Sequence, residues 1–243
     1  MERQRADLLL VERGLFESRA KARAAIEAGG VRAGGQMVRK ASELIPTDAE
    51  IEAEAAYPWV GRGGLKLDHA LNLWPVPVVG RVVLDVGAST GGFTHVCLER
   101  GARRVLAVDV GHGQLHLSLI TDPRVANLEG MDARTLDRVQ VSEAPDLVVC
   151  DASFIGLAKV LPAALALAAP GADLIALIKP QFEVGPDLIG KGGVVRDVEA
   201  RTAAVESVCA WLTGRGWTVR ETCESPVRGG EGAVEYLVWA QGG

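Results

Sequence analysis

The chain has 243 residues, of which 48% are hydrophobic, 23% charged and only 5% aromatic. This length suits one large domain or a medium domain plus a small one, and the hydrophobic share excludes wholesale disorder. The formal net charge of −5 argues at first against a nucleic-acid partner. However, residues 1–40 carry nine Lys or Arg and five Asp or Glu, a balance of +4, whereas residues 41–243 have a balance of −9. An acidic protein with a basic N-terminal segment needs a functional explanation.

The sequence predicts neither a membrane segment nor a secretion signal. The longest uncharged stretch of the most apolar region, residues 160–172, is too short to span a bilayer and contains two prolines. The first ten residues lack an apolar core long enough for a signal peptide. The four cysteines form no CxxC pair, so we expect reduced thiols rather than disulfides or a zinc site. We therefore expect a cytoplasmic protein without a membrane partner.

The N-terminal region predicts a small α+β domain at residues 1–56. Two helices are expected, at residues 6–13 and 19–28, followed by a hairpin of residues 31–33 and 37–38 and a further strand at residues 47–54. Ser18 is suited to cap the second helix, and the Gly34-Gly35 pair predicts a tight hairpin turn. Pro58 favours a non-helical connection, so we place a linker at residues 57–61.

The remaining residues, 62–243, alternate between predicted strands and helices. Seven strands are expected, at residues 81–86, 104–110, 125–129, 147–151, 173–179, 217–222 and 235–240. The clearest helices are expected at residues 92–100, 157–169 and 198–215. The alternation predicts an α/β fold with a mostly parallel, doubly wound sheet of the Rossmann-like type. Residues 223–233, which are rich in Gly and Pro, show no helical pattern, so the last strand is expected to be antiparallel.

A glycine-rich segment follows the first strand of this predicted sheet. Residues 84–94 read LDVGASTGGFT, and Asp109 ends the next strand, where its carboxylate can accept hydrogen bonds from both hydroxyls of a ribose. This arrangement suits S-adenosylmethionine (SAM) or a dinucleotide. A dinucleotide site needs GxGxxG, but Ser89 replaces the middle glycine, so SAM is favoured. The residues expected to bind the cofactor are Asp85, Gly87, Ala88, Ser89, Thr90, Gly91, Gly92, Asp109, Val110, Asp132 and Asp151.

Two other motifs in residues 62–243 are weaker. Residues 185–191 match GxxxxGK, but the next residue is Gly192 rather than the Ser or Thr that a nucleoside-triphosphate site requires. His112 and His116 have the i, i+4 spacing of metal ligands, but no third ligand lies nearby in the sequence. We therefore expect neither a triphosphate site nor a metal.

Charged residues stand where successive parallel strands are expected to end. Asp151 ends the fourth strand, Lys179 ends the fifth, and Asp132 follows the third. The carboxyl ends of parallel strands share one edge of the sheet, where ligands bind, so these residues are candidates for one cleft. Lys66 and Glu235 would alone be interpreted as a surface lysine and an ordinary strand residue.

These motifs together resemble the TlyA family, also called the hemolysin A family, which is related to FtsJ-type ribose methyltransferases. The resemblance covers nearly the whole chain. Its motifs here are RGGLKL (62–67), the glycine loop, DASFI (151–155), KPQFEV (179–184), GGVVRD (192–197) and VEY (234–236). It implies a SAM-dependent methyltransferase of the ribose 2′-hydroxyl of cytidine in ribosomal RNA. It also implies a catalytic tetrad, which falls on Lys66, Asp151, Lys179 and Glu235.

The resemblance further implies that residues 1–56 form an RNA-binding domain of the type found in a small-subunit ribosomal protein. The candidates for contact with RNA phosphates are Arg3, Arg5, Arg19, Lys21, Arg23 and Arg62. The expected partner is ribosomal RNA in ribosomal subunits, bound by a monomer without an obligate protein partner. Two alternatives remain: an assembly factor that binds RNA without catalysis, and a cytolysin, which the family's other name suggests.

Overall fold

The computed structural model describes residues 2–243. The chain divides into two compact units, Met1–Pro58 and Trp59–Gly243. Each unit has a hydrophobic core of its own.

The N-terminal unit is a small α+β unit with five short strands and two helices. Its elements are β1 (Arg3–Arg5), α1 (Ala6–Glu12), α2 (Arg19–Glu27), β2 (Val31–Ala33), β3 (Gln36–Met37), β4 (Leu44–Pro46) and β5 (Ile51–Ala53). Strand β1 pairs with β4, and a second sheet has the order β3-β2-β5. The apolar faces of α1 and α2 bury Leu10, Ala22 and Ile26 against Val31 and Ile45.

Local sequence signals in this unit are confirmed. The Ser18 side chain accepts a hydrogen bond from the Lys21 backbone N–H (3.3 Å) and caps α2. Ala33 pairs with Gln36, so Gly34 and Gly35 form a two-residue hairpin loop in which both have positive φ, +56° and +75°.

The C-terminal unit contains the other elements. Its helices are α3 (Gly64–Leu73), α4 (Gly92–Glu99), α5 (Leu117–Ile120), α6 (Leu157–Val160), α7 (Pro162–Leu167), α8 (Pro180–Glu183) and α9 (Val198–Gly214). Its strands are β6 (Val82–Val86), β7 (Arg104–Asp109), β8 (Val125–Glu129), β9 (Leu147–Cys150), β10 (Asp173–Ile178), β11 (Trp217–Glu224) and β12 (Tyr236–Gly242).

The seven strands form one sheet in the order β11-β12-β10-β9-β6-β7-β8. This confirms the predicted seven-stranded, mostly parallel sheet. Strand β12 runs antiparallel to both neighbours, β10 and β11, as the helix-free connection before it indicated. Strands β6, β9 and β10 are buried along their whole length, which explains their continuous apolar runs.

Alternate residues of these central strands supply two cores, one on each face of the sheet. Val82, Leu84 and Val86 contribute to the core that α6, α7 and α9 cover. Val83 contributes to the opposite core, which α3 and α4 cover. Because both faces of the sheet are covered, the groups it can offer to a ligand are mainly the polar groups at the strand ends.

One predicted helix differs. The helix expected at residues 157–169 is interrupted and forms α6 and α7, with Pro162 at the first position of α7. Proline has no backbone N–H to continue the hydrogen bonding of α6, so the interruption falls there.

Candidate active site

Four charged side chains from distant parts of the sequence meet at the carboxyl edge of the parallel strands. Asp151 follows β9 and Lys179 follows β10. Tyr236, the first residue of β12, pairs with Ile178, the last residue of β10. Because β12 is antiparallel, its beginning lies at this same edge, and Glu235 is brought beside Lys179. Lys66 comes from the first turn of α3.

The four residues form a continuous ion-pair network. Lys66 Nζ lies 2.7 Å from Glu235 Oε2 and 3.4 Å from Asp151 Oδ2. Lys179 Nζ lies 2.7 Å from Asp151 Oδ1. The side chains of Lys66, Lys179 and Glu235 are less than a tenth exposed. Two buried ammonium groups are thus matched by two carboxylates, which offsets the cost of removing these charges from water.

Glycines permit this close approach. A Cβ on Gly63, just before α3, would lie 3.3 Å from Asp151 Oδ2. A Cβ on Gly229 would collide with the Glu235 carboxylate. Both backbone segments therefore pack directly against the charged network, tightly at Gly63 and, at Gly229, without room for any side chain.

Ser153 is a member of the site that the sequence analysis missed. Its Oγ accepts a hydrogen bond from Lys179 Nζ (2.8 Å), so Lys179 is held by Ser153 and Asp151 together. The available signals were its position two residues after Asp151 and its place in the DASFI motif. Its contact with Lys179 had no signal, because the reach of the Lys179 side chain depends on the tertiary structure.

Two adjoining cavities lie at this edge. The smaller cavity, about 270 Å³, is lined by the four charged residues, Ser153, Arg62 and part of the glycine loop. The larger cavity, about 660 Å³, is lined by residues at or just beyond the ends of β6, β7 and β8, including Asp109, Val110 and Asp132. The two cavities share Gly87, Ser89, Asp151 and Ser153. The larger volume is within the range of cofactor sites, and the shared residues mark where two bound molecules would meet.

The glycine loop borders both cavities, because Gly87 and Ser89 line each of them. Gly87 has a φ of +82°, and a Cβ there would lie 2.9 Å from the Ala152 Cα, so a side chain would meet backbone. Ser89 also has a positive φ, +48°, although it is not a glycine. A strained residue held in this way is often found where a loop binds a ligand. Of the predicted cofactor residues of this loop, Ala88, Thr90 and Gly92 line the smaller cavity.

Asp109 occupies the end of β7, at the wall of the larger cavity. Its Oδ2 accepts a hydrogen bond from Ser89 N (2.8 Å) and its Oδ1 accepts one from Gly111 N (2.7 Å). These bonds fix the carboxylate, and each oxygen retains a lone pair for a ligand hydroxyl. Asp132 lies across the cavity, where Arg134 donates hydrogen bonds to both of its oxygens.

Glu129 anchors the loop that carries Gln114 over this cavity. Its Oε1 accepts hydrogen bonds from the backbone of Gln114 (2.6 Å) and Leu115 (3.0 Å). Hydrogen bonds from Asn127 and from these amides lower the pKa of Glu129 to about 2. The loop is therefore held by a carboxylate that stays ionised at physiological pH.

Asp85 and Gly91, both predicted to bind the cofactor, lie elsewhere: neither lines either cavity. Asp85 is completely buried below the glycine loop, where its Oδ2 accepts a hydrogen bond from Thr94 Oγ1 (2.7 Å). Its Oδ1 has no hydrogen-bond partner among residues 2–243. Burial, which outweighs the hydrogen bond from Thr94, raises the pKa of Asp85 to about 7. Gly91 is the N-cap residue of α4, with a φ of +93°.

The two histidines with metal-like spacing have other contacts. The His112 ring packs against Gly130, and a Cβ on Gly130 would lie 2.5 Å from His112 Nε2. His116 caps α5, accepting a hydrogen bond from Ser118 N (3.3 Å).

The candidate RNA-binding residues lie at several places on the surface. Arg3 donates to the Leu44 carbonyl (2.7 Å), and Lys21 pairs with Glu17 (2.7 Å). Arg23 is exposed on α2. Arg62 is exposed at the rim of the smaller cavity. Arg5 and Arg19 both contact Asp7.

Comparisons with known proteins identify the families of the two parts of the chain. The model of the "FtsJ-like methyltransferase" family matches residues 59–242, and that of the "S4 domain" matches residues 4–51. The 16S/23S rRNA (cytidine-2′-O)-methyltransferase TlyA of Mycobacterium tuberculosis is 46% identical, over 98% of this chain and 89% of its own. Hemolysin A of Brachyspira hyodysenteriae is 35% identical, over 96% of this chain and 98% of its own.

A solved structure described as a hemolysin from Streptococcus thermophilus is also similar. It is 37% identical, with a TM-score of 0.78, over all of this chain and 89% of its own. Among residues 2–243 there is no helix with the length and apolar character needed to cross a membrane.

The fold and the cleft at the carboxyl edge of its sheet define a Rossmann-like methyltransferase preceded by an S4 domain. The sequence identity to TlyA over nearly the full length identifies the family within this class. The chain belongs to the TlyA family of FtsJ-like methyltransferases.

Proposed function

We propose that this protein transfers a methyl group from SAM to the ribose 2′-hydroxyl of cytidine in ribosomal RNA. The observation that carries the proposal is the junction of the two cavities. The larger has the size and the strand-end carboxylate of a nucleoside site, and the smaller contains the Lys66–Glu235–Asp151–Lys179 network. The M. tuberculosis relative is named for this reaction on 16S and 23S rRNA.

The residues of the larger cavity fit SAM. Asp109 would accept hydrogen bonds from the ribose hydroxyls, and Asp132 would face the adenine, beside the exposed Val110. Gly87 leaves room for close approach of the ligand to the loop backbone. Asp151, shared by both cavities, would face the sulfonium with its negative charge. SAM would supply a methyl group that is already activated toward a nucleophile.

The smaller cavity would hold the acceptor ribose. A ribose hydroxyl is a weak nucleophile, so a base is needed. In the proposed reaction Lys179 first releases one proton to solvent, and its neutral amine then accepts the proton of the hydroxyl. Asp151 and Ser153 orient Lys179 through contacts of 2.7 and 2.8 Å. Lys66, anchored by Glu235, donates to the reacting oxygen and stabilises its developing charge. Holding the methyl group and the acceptor hydroxyl in line would supply a large part of the rate enhancement.

The N-terminal unit would supply RNA affinity. We propose that residues 1–56 bind ribosomal RNA in ribosomal subunits, that residues 57–61 connect the domains, and that residues 62–243 catalyse the reaction. The basic N-terminal residues and Arg62 would contact phosphates. A ribosomal substrate places the protein in the cytoplasm, where it would act as a monomer without an obligate protein partner.

The test is methyl transfer from labelled SAM to ribosomal subunits, measured together with SAM binding. Lys179→Ala should retain SAM affinity and lose at least about 100-fold in transfer rate, as expected for removal of a general base. Lys179→Arg is the matched control, because arginine keeps the charge beside Asp151 but does not lose its proton. It should also be inactive.

Full transfer by either variant would overturn the assignment of Lys179 as base. Binding of subunits by the unmodified protein without any transfer of label would instead indicate a non-catalytic assembly factor.

A further inference from the structure

A buried carboxylate in the N-terminal unit holds two surface arginines. Asp7, in the first turn of α1, has no exposed surface. Arg5 donates from Nε to Asp7 Oδ1 (3.0 Å) and from Nη2 to Oδ2 (3.1 Å). Arg19, at the start of α2, donates to Oδ2 from Nε (3.1 Å) and Nη2 (2.8 Å). One carboxylate thus receives four hydrogen bonds from two separate elements.

The contact with Asp7 orients the two arginines but leaves a large part of each side chain exposed. Their side chains remain 40% and 53% exposed, whereas Asp7 is at 0%. No described residue accepts a hydrogen bond from Nη1 of either arginine. Each guanidinium is therefore fixed along one side and presents its other side to solvent, in the forked geometry that suits a phosphate group.

We propose that Asp7 is a positioning residue for nucleic acid, which holds Arg5 and Arg19 as a preformed clamp for the phosphate backbone of RNA. The proposal rests on the proposed function and adds to it the group that orients two of the RNA-binding residues. Long flexible side chains lose conformational entropy on binding, and Asp7 makes that loss part of folding rather than of RNA association.

The clamp and simple electrostatics predict opposite changes in RNA affinity when the Asp7 carboxylate is removed. Hydrogen bonds from Arg5, with those from Arg19, lower the pKa of Asp7 to about 2, so the carboxylate is charged at physiological pH. Removing a negative charge from an RNA-binding surface should by Coulomb attraction alone tighten RNA binding. If Asp7 orients the arginines, its removal should weaken binding instead.

The experiment measures binding of the full-length protein to purified bacterial large-subunit ribosomal RNA over a series of salt concentrations. Asp7→Asn should weaken binding by about tenfold, and the slope of log Kd against log salt should fall by about one for each phosphate that the arginines no longer neutralise. Glu27→Gln is the matched control, because it removes an exposed acid of α2 that forms no ion pair with any described residue. It should bind as tightly as the unmodified protein, or more tightly.

A second pair of variants keeps the test decisive if Asp7→Asn does not fold, which circular dichroism would show. Arg19→Lys keeps the charge but cannot make the forked contact with Asp7, so it should weaken binding. Arg23→Lys, on the same helix but without this contact, measures the effect of the same exchange at another candidate phosphate contact. It should weaken binding less than Arg19→Lys, because lysine keeps the charge and no contact with Asp7 is lost. Equal binding by Arg19→Lys and Arg23→Lys, or undiminished binding by a folded Asp7→Asn protein, would overturn the clamp alone. Absence of RNA binding by the unmodified protein would overturn the clamp together with the proposed RNA-binding role.

Discussion

The buried carboxyl of Asp85 gives the C-terminal unit a pH-dependent weakness that Asp85→Asn should remove. Asp85 is fully buried, and its Oδ1 has no hydrogen-bond partner among residues 2–243. Asparagine has nearly the same shape and can still accept the hydrogen bond from Thr94. The substitution therefore changes mainly the ability of this position to carry a charge.

The size of the effect follows from the pKa. Burial raises the pKa of Asp85 from 3.8 to about 7. In the unfolded chain the group is ionised above about pH 4, whereas in the folded protein it holds its proton until about pH 7. The stability contributed by that proton is fully present below pH 4 and is lost as the pH rises to 7. The loss corresponds to about 4 kcal/mol, at about 1.4 kcal/mol per pH unit.

Urea unfolding followed by tryptophan fluorescence measures this directly. All five tryptophans lie in residues 59–243, so the signal reports only the C-terminal unit. The difference in unfolding free energy between Asp85→Asn and the unmodified protein should shift by about 4 kcal/mol in favour of the variant between pH 4 and pH 8. The unfolding free energies of the two proteins should also differ by an amount that does not change with pH, because the Asn amide nitrogen replaces an oxygen without a hydrogen-bond partner.

A buried carboxylate with hydrogen-bond partners should instead lose stability on the same substitution. Asp173 accepts hydrogen bonds from Arg81 (2.6 Å) and from Trp239 Nε1 (2.9 Å). Asp173→Asn should destabilise the unit at pH 8, because it leaves a partly buried Arg81 without its counter-charge. A difference between Asp85→Asn and the unmodified protein that does not change with pH would refute the reasoning about Asp85.

Three further predictions concern the cleft. Ser153→Ala should lower the single-turnover transfer rate by about tenfold with little change in SAM affinity, because Lys179 loses one of its two anchors; an unchanged rate would remove Ser153 from the site. Glu129→Gln should weaken SAM binding in calorimetry by several-fold, since the loop carrying Gln114 loses its charged anchor. Gly87→Ala should destabilise the protein by about 2–3 kcal/mol in thermal unfolding, because the added Cβ meets the Ala152 backbone. Gly113 also has a positive φ but open space around it, so Gly113→Ala should cost only about 1 kcal/mol. Equal losses would contradict the importance of the Ala152 contact.

The sequence predicted the sheet well because its strands carry continuous apolar runs. All seven strands were located, and so were Asp151 and Lys179 at their ends. Strands β1 and β4 were missed because each has only three residues, too few for a periodic pattern.

Glu235 and Lys66 were identified only through family resemblance. Their position in the cleft depends on the antiparallel register of β12 and on the packing of α3 against Asp151, which no local pattern encodes. Ser153 and Asp7 were missed for a related reason. The role of Asp7 depends on hydrogen bonds from two arginines of different elements, and the role of Ser153 depends on where the Lys179 side chain ends.

The most direct test of the account is to identify the methylated nucleoside. Ribosomal subunits from bacteria lacking this activity should be incubated with the protein and SAM, and the RNA digested to nucleosides for mass spectrometry. The content of 2′-O-methylcytidine should increase, and Lys179→Arg should abolish the increase. A methyl group on a base, or 2′-O-methylcytidine produced equally by Lys179→Arg, would contradict the central claim that the Lys66–Glu235–Asp151–Lys179 network activates a ribose hydroxyl.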